Sequence, residues 1–148
     1  MSGMEFNIRI MTIGDYREVY GLWASTEGMG LRSLDDSFEG IEKFLSRNPR
    51  TCFVAEAGGE IAGVILSGQD GRRAYIYHAA VSEKNRGKGI GRALTQAVEK
   101  AMKGEGINKI ALVVFNRNEA GNNFWEKQGF GTRPDLVYRD KSLNEANR

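Results

Sequence analysis

Three glycines at alternate positions, Gly87, Gly89 and Gly91, constrain the fold of this chain most. They lie where a pattern typical of a strand changes into one typical of a helix. The segment Val81 to Leu94 reads VSEKNRGKGIGRAL, with an apolar strand before it and apolar residues at helical spacing after it. Glycine adopts the left-handed backbone conformations that a tight turn of this kind uses. The segment therefore predicts a strand–turn–helix unit whose backbone N–H groups, at the start of the helix, face a ligand.

Apolar periodicity and turn residues predict the other elements. We expect strands at residues 5–11, 51–57, 60–67, 74–81, 109–115 and 136–143. Helices are expected after Thr12, from Ser37 to before Pro49, from Ile90 to about Gly104, and from Asn118 to Gly129. The dipeptide Gly58-Gly59 predicts a hairpin. The run KIALVVF at 109–115 is nearly all apolar, which is typical of a strand buried on both faces. This order predicts a mixed α/β sheet with helices on both sides.

Composition narrows the class of protein. The 148 residues are 41% hydrophobic and 27% charged, as in one globular domain spanning 1–148. A net charge of +2 makes no general case for a nucleic-acid or membrane partner. Cys52 is the only cysteine and His78 the only histidine, so an internal disulfide and a Cys/His zinc site are excluded, and no metal is expected. Without a membrane-length apolar run or a signal-peptide core, we expect a cytoplasmic protein.

Positive charge is concentrated beside the glycine turn. Lys84, Arg86, Lys88 and Arg92 follow one another with no acid between them, and residues 82–109 hold seven basic and three acidic side chains. Together with the partial positive charge of a helix start, this favours a phosphorylated ligand. A solvated basic loop is the alternative. Three nucleotide-binding motifs fail on spacing: the glycines match neither a Walker A loop nor a Rossmann fingerprint, and a kinase loop would bridge two strands.

The hexapeptide Arg86-Gly87-Lys88-Gly89-Ile90-Gly91 resembles the R/Q-x-x-G-x-G/A element of the GNAT family of N-acetyltransferases. The small-residue strand end Ala79-Ala80-Val81 precedes it, and an Asn118…Gly121…Trp125…Gly129-Phe130 pattern similar to the family's follows. The element order matches along nearly the whole chain, and residues 53–72 look most like the small bacterial YpeA-type branch. The resemblance implies an α/β (α+β) fold: a mixed, mostly antiparallel twisted sheet of six to seven strands with helices on both faces.

The resemblance also implies an enzyme that uses acetyl-CoA as donor and transfers the acetyl group directly to an amine, without an acyl-enzyme. In this family the strand ending at Val81 bulges and splays from the next strand, which opens a V-shaped cleft for the coenzyme. The matching residues that would bind it are Ala79, Ala80, Val81, Arg86, Gly87, Lys88, Gly89, Ile90, Gly91, Arg92, Asn118 and Trp125.

The catalytic residues depart from the family pattern. Trp125 stands where the family often has a tyrosine acid, and an indole N–H has no proton to release. Tyr138 and Tyr77 are candidates by position to replace that tyrosine as the acid. Tyr75 stands where some members carry a glutamate base. His78 is the only side chain whose ordinary pKa lies near neutrality, and Glu56 is a weaker candidate. We therefore take Tyr75, His78 and Tyr138 as candidate catalytic residues and expect water, rather than one essential base, to carry the proton.

Three alternatives stay open. Trp125 favours a catalytically weak or inactive coenzyme A sensor with the same fold, and the glycine turn also allows a nucleotide-binding module. The acceptor is expected beside residues 11–48, where seven acidic and four basic side chains favour a cationic amine, although a solvated helix face carries similar acids. A homodimer is expected only by analogy with the family.

Overall fold

The computed structural model describes residues 5–148 and contains one five-stranded sheet. Its strands, in chain order and also in spatial order, are β1 Asn7–Ile10, β2 Phe53–Ala57, β3 Glu60–Gln69, β4 Ala74–Val81 and β5 Ile110–Ala111. Neighbouring strands are antiparallel except β4 and β5, which are parallel. The predicted hairpin is confirmed, since β2 and β3 join through Gly58 and Gly59, both with positive φ.

Four helices flank the sheet: α1 Tyr16–Ala24, α2 Phe38–Arg47, α3 Ile90–Gly104 and α4 Glu119–Lys127. Side chains cap two of their first turns, where backbone N–H groups have no partner within the helix. Ser37 Oγ accepts the Gly40 N–H at 3.0 Å, and Asn118 Oδ1 accepts the Gly121 N–H at 2.9 Å. In the part of the chain that the structure describes, no helix has the length and apolar composition of a membrane span.

Two apolar cores lie on opposite faces of the sheet, as the helix periodicities predict. On one face α1 and α2 pack Val19, Trp23 and Ile41 against sheet residues that include Val64. On the other face α3 buries the stripe that contains Ile90, Leu94, Val98 and Met102. The prediction of helices on both faces is confirmed.

The predicted strand at 136–143 is wrong, and it accounts for the lower strand count. Leu136, Val137, Tyr138 and Leu143 are 60–93% exposed, and this segment pairs with no strand. The last residues bind instead to the loop between α1 and α2: Asn147 Oδ1 accepts the Leu34 N–H at 2.9 Å, and Ser33 Oγ donates to the Ala146 carbonyl at 2.7 Å. These hydrogen bonds attach the end of the tail to that loop rather than to a strand.

The prediction that 109–115 forms a strand buried on both faces is also wrong. Only Ile110 and Ala111 pair with β4, and Val113 and Phe115 are exposed while their neighbours in the alternation are half-buried. Beyond Ala111 the chain no longer pairs with β4. An edge segment beside an opening therefore carries the apolar composition of a central strand.

Candidate functional site

A bulge interrupts β4 in its middle. His78 pairs with Leu66 on β3, but Ile76 pairs with Ser67, the next residue of β3. Tyr77 is therefore an extra residue without a partner, which is the geometry of a β-bulge. Bulges bend a strand and redirect its side chains, so this one decides which residues share a face.

The bulge changes the alternation of side chains along β4. Ile76 belongs to the core under α3, whereas Ala80 belongs to the core under α1 and α2. Tyr77 packs edge-on against Phe44 of α2 at 5.5 Å between ring centroids. An unbroken strand would place Tyr77 on one face with Ala79, and the bulge separates them. Ala79 packs under α3, and Tyr77 lies on the opposite face.

β4 and β5 separate soon after they meet. They pair only at Ala74 with Ile110 and at Tyr75 with Ala111. From Ile76 to Val81, β4 has no strand on that side among the described residues. This leaves an opening in the sheet with an unpaired edge, the cleft that the resemblance implies. An extended ligand can hydrogen-bond to such an edge as an added strand does.

The glycine turn lies directly beyond this edge. Gly87 and Gly89 have φ of +79° and +86°, conformations that a residue with a Cβ rarely adopts. A Cβ at either position would meet no protein atom within 4 Å, so the backbone faces open space. α3 begins at Ile90 without a side-chain cap on its first N–H groups. The turn and the helix start thus present uncapped donors, and the residues present fit a pyrophosphate.

The cations around the turn differ in their partners. Lys84 forms an exposed ion pair with Glu60 at 3.1 Å. Arg86 Nε donates to the Val81 carbonyl at 3.1 Å, and Lys88 Nζ donates to Asn85 Oδ1 at 3.2 Å. Within residues 5–148, Arg86, Lys88 and Arg92 have no acidic partner. Three uncompensated cations therefore surround the glycine turn.

His78 lies against a buried acid that the sequence did not single out. Its Nε2 is 2.9 Å from Asp36 Oδ1, and both side chains are nearly buried. The second Asp36 oxygen accepts the Arg32 N–H at 2.7 Å. His78 Nδ1 is buried and has no hydrogen-bond partner in the part of the chain described. Asp36 appears in the sequence only among the surface-type acids of residues 11–48, so no local signal identified it.

The tyrosines predicted as candidates come together on the same face. Tyr75 and Tyr77 have ring centroids 4.7 Å apart. Burial raises the pKa of both phenols, and Tyr138 is close enough to raise the pKa of each further. The Tyr138 side chain itself is 66% exposed, so its effect on the two phenols comes through charge rather than ring packing.

Three other predicted residues have structural contacts. Asn118 caps α4, and Trp125 packs at 5.3 Å from the ring of Phe130, against the core under α3. Glu56 lies on β2, two strands from β4, and accepts a hydrogen bond from Arg9 at 3.1 Å. This position removes Glu56 from the opening. The coenzyme roles of Asn118 and Trp125 stay predictions.

Comparison with known proteins agrees with this geometry. The model of the acetyltransferase (GNAT) family matches residues 16–130. An acetyltransferase of Sodalis glossinidius is 34% identical over 138 residues, covering 93% of this chain and 96% of that protein. The chain therefore belongs to the GNAT acetyltransferase family.

Solved structures show the same fold. Ard1 from Thermoplasma volcanium has a TM-score of 0.75 at 22% identity, over 84% of this chain and 81% of that one. PaiA N-acetyltransferase from Thermoplasma acidophilum, solved in complex with coenzyme A, has a TM-score of 0.73 at 19% identity, over 97% and 95%. The predicted fold class is confirmed, with five strands in place of six to seven.

Proposed function

We propose that this chain transfers an acetyl group from acetyl-CoA directly to an amine. The observation that carries the proposal is the junction of an unpaired strand edge, Ile76 to Val81, with an uncapped glycine turn at Gly87 and Gly89. Such a junction can hold the extended pantetheine arm of coenzyme A along the strand edge and the pyrophosphate of coenzyme A at the helix start. The PaiA structure with coenzyme A supports this choice of ligand through its similar fold.

The residues of this chain divide the binding between them. Backbone groups of Ala79 and Val81 would hold the pantetheine arm. The Val81 N–H would polarise the thioester carbonyl of the donor. The backbone from Gly87 to Gly91 would hold the pyrophosphate, and the three uncompensated cations would attract it. Acetyl-CoA supplies a thioester: the amine nitrogen bonds to its carbonyl carbon, the carbon–sulfur bond breaks, and the sulfur leaves as a thiolate that takes a proton.

The acceptor would approach from the face opposite α3. Ala79 packs on the α3 side, whereas Tyr77 and His78 contact residues of α2 and α1 across the sheet. A donor held beside the glycine turn and an acceptor from the tyrosine side would therefore meet at the opening between β4 and β5. This places Tyr75, His78 and Tyr138 on the acceptor's side.

Water carries the proton from the acceptor ammonium in this proposal. A carboxylate only accepts hydrogen bonds, so His78 holds a proton on Nε2 against Asp36, and its other nitrogen is buried. The phenols of Tyr75 and Tyr77 have raised pKa values, which keeps both protonated at neutral pH and able to donate but not to act as bases. The leaving thiolate needs little help, since an ordinary thiol has a pKa of ~8.5.

Calorimetric titration tests the ligand first, with acetyl-CoA, coenzyme A, ATP and NAD compared. We expect micromolar binding of the two coenzyme A species and none of the nucleotides. If neither acetyl-CoA nor coenzyme A bound, the glycine turn would be only a basic loop at the start of α3, and the proposal would be wrong. Competition by ATP would favour a nucleotide-binding module. Release of free thiol with a panel of amines then tests the reaction.

A coenzyme A sensor is the second candidate, and the packing of Trp125 among Phe124 and Phe130 favours it. Such a protein would bind the coenzyme at the same turn but would release no thiol with any amine. Amine-dependent release above the hydrolysis rate would exclude it.

A further inference from the structure

The acceptor side of the opening carries an aromatic surface, which we call the tyrosine cluster: Tyr75 and Tyr77, with Phe44 at its base. Tyr77 is 55% exposed although it lies in the middle of a strand, because the bulge turns it out of the ladder. Its ring is 4.7 Å from that of Tyr75 and 5.5 Å from that of Phe44. Exposed rings held in fixed positions offer their faces to a cation.

Two carboxylates border the tyrosine cluster. Asp35 precedes Asp36, which contacts His78, so Asp35 lies at the loop that meets this part of β4. Asp70 lies in the turn that leads into β4, where its carboxylate accepts the backbone N–H groups of Arg72 and Arg73. Burial raises the pKa of Tyr77, and the charges of Asp35 and Asp70 raise it further, which agrees with this placement.

The two carboxylates lack ion-pair partners among the described residues, although Arg72 lies close to Asp70. Asp35 accepts a hydrogen bond from the neutral amide of Asn147 at 2.9 Å. Neither Asp35 nor Asp70 forms an ion pair with a lysine or arginine of residues 5–148. The cluster therefore combines aromatic faces with negative charge, and this combination is complementary to an ammonium group.

The ammonium bound here differs from the amine that reacts. Aromatic faces and carboxylates stabilise the charged form of a nitrogen and raise its pKa. A nitrogen that attacks a thioester must first lose its proton. The same contacts that hold a cation at the cluster would thus suppress its reactivity.

We infer that the acceptor carries a second ammonium group, which binds at the tyrosine cluster while a separate amine reacts beside Ala79 to Val81. This inference rests on the proposed function. Two to four residues of extended strand separate Tyr77 from that position, or ~7–13 Å. A linear diamine, or a larger amine with two charges at that spacing, fits this distance.

Amine series of matched length test the inference. Thiol release is measured with diamines from diaminopropane to diaminooctane and with the monoamine of each chain length. We expect kcat/KM to favour the diamine about 3- to 30-fold at the longer lengths, the range from an exposed to a desolvated cation–aromatic contact. Equal kcat/KM for diamines and monoamines would overturn the inference while leaving the acetyltransferase proposal intact.

Variants locate the second ammonium. Tyr77→Leu removes a ring and is expected to abolish the preference for diamines, whereas Tyr77→Phe keeps the ring and the preference. Asp35→Asn is expected to lower the preference without removing it. Tyr20→Leu, which changes an exposed tyrosine on α1, is the matched control and should leave the ratio unchanged. A ratio unaffected by Tyr77→Leu would contradict the site.

A binding measurement tests this inference even if the protein does not catalyse the reaction. If no amine releases thiol, calorimetry of the coenzyme A-bound protein with the same amines still compares the two series. Tighter binding of diamines that Tyr77→Leu weakens would support the cluster as a cation site in a protein without turnover. Equal binding of both series would overturn it.

Discussion

His78 Nε2 lies 2.9 Å from Asp36 Oδ1, and this contact joins the middle of β4 to the loop that precedes α2. Both residues are nearly buried, and the ring of His78 also packs edge-on against Trp23 at 5.0 Å. Asp36 binds the Arg32 N–H with its other oxygen, so one carboxylate organises the loop and the histidine together. The loop thus packs against the face of β4 from which the proposed acceptor would approach.

Asp36→Ala should destabilise the fold by about 1–3 kcal/mol, because it leaves the Arg32 N–H and the imidazole without their acceptor in a buried position. Urea unfolding measures the loss. Glu42→Ala, an exposed acid in the middle of α2, is the control and should change the free energy of unfolding by less than about 0.5 kcal/mol. Equal losses for the two variants would contradict a structural role for the His78–Asp36 contact.

Gly87→Ala should weaken coenzyme A binding about tenfold or more, because the methyl group occupies the open space that the backbone presents and strains a left-handed residue. Gly106→Ala is a close control: φ is +77° there against +79° at Gly87, and neither Cβ would meet a protein atom within 4 Å. Both variants should lose similar stability by thermal unfolding, but only Gly87→Ala should lose affinity by calorimetry.

Tyr75→Phe and Tyr138→Phe remove the candidate phenols without changing ring packing, and each should lower kcat less than about 100-fold, since water carries the proton. His78→Gln keeps a donor toward Asp36 and should behave similarly. Steady-state thiol release measures all three variants. A larger fall in a variant that still unfolds cooperatively would identify an essential acid or base and contradict the water-mediated transfer.

The Arg9–Asp15 ion pair should make the free energy of unfolding depend on pH. Arg9 donates to both Asp15 oxygens, at 2.8 and 2.9 Å, and this pairing lowers the pKa of Asp15 below its ordinary 3.8. A lowered folded-state pKa stabilises the protein above the unfolded pKa, and the effect is lost as pH falls through the folded value. Asp15→Asn should therefore cost about 1–3 kcal/mol at neutral pH and progressively less below pH ~3.8.

Urea unfolding at several pH values checks the Asp15 prediction. Asp140→Asn, in the exposed tail, should cost nothing measurable at any of them. A cost of Asp15→Asn that stayed constant from neutral to acid pH would show that the charge of Asp15 contributes nothing.

Cys52 should resist thiol reagents while the protein is folded. Its side chain is fully buried and donates to the Ser67 carbonyl at 3.2 Å, and burial raises the pKa of the thiol to about 12. The reactive thiolate is therefore nearly absent at pH 8. Reaction with a disulfide reagent should be at least about 100-fold slower in buffer than in denaturing urea. Comparable rates in buffer and in urea would contradict the burial of Cys52.

Local chemistry explains which elements could be predicted. The strand–turn–helix unit from Val81 to Gly104 rests on glycines and helical spacing within one short segment, and the hairpin at Gly58 and Gly59 rests on two adjacent residues. The edge segment 109–115 could not be predicted correctly because apolar composition does not report which face a neighbouring element covers. The segment 136–143 has apolar residues that suit a strand, but the residues that follow it, 146–148, bond to the loop between α1 and α2.

The sequence by itself determined the glycine turn, the cations around it, the helix that follows, and the family that these residues indicate. All of these depend on backbone conformations and spacings set by adjacent residues. Only the tertiary structure decided that Tyr77 bulges from β4, that His78 meets Asp36, and that Tyr77 packs against Phe44. Those relationships connect residues far apart in the chain, and they exist only once the packing of the sheet and helices brings the segments together.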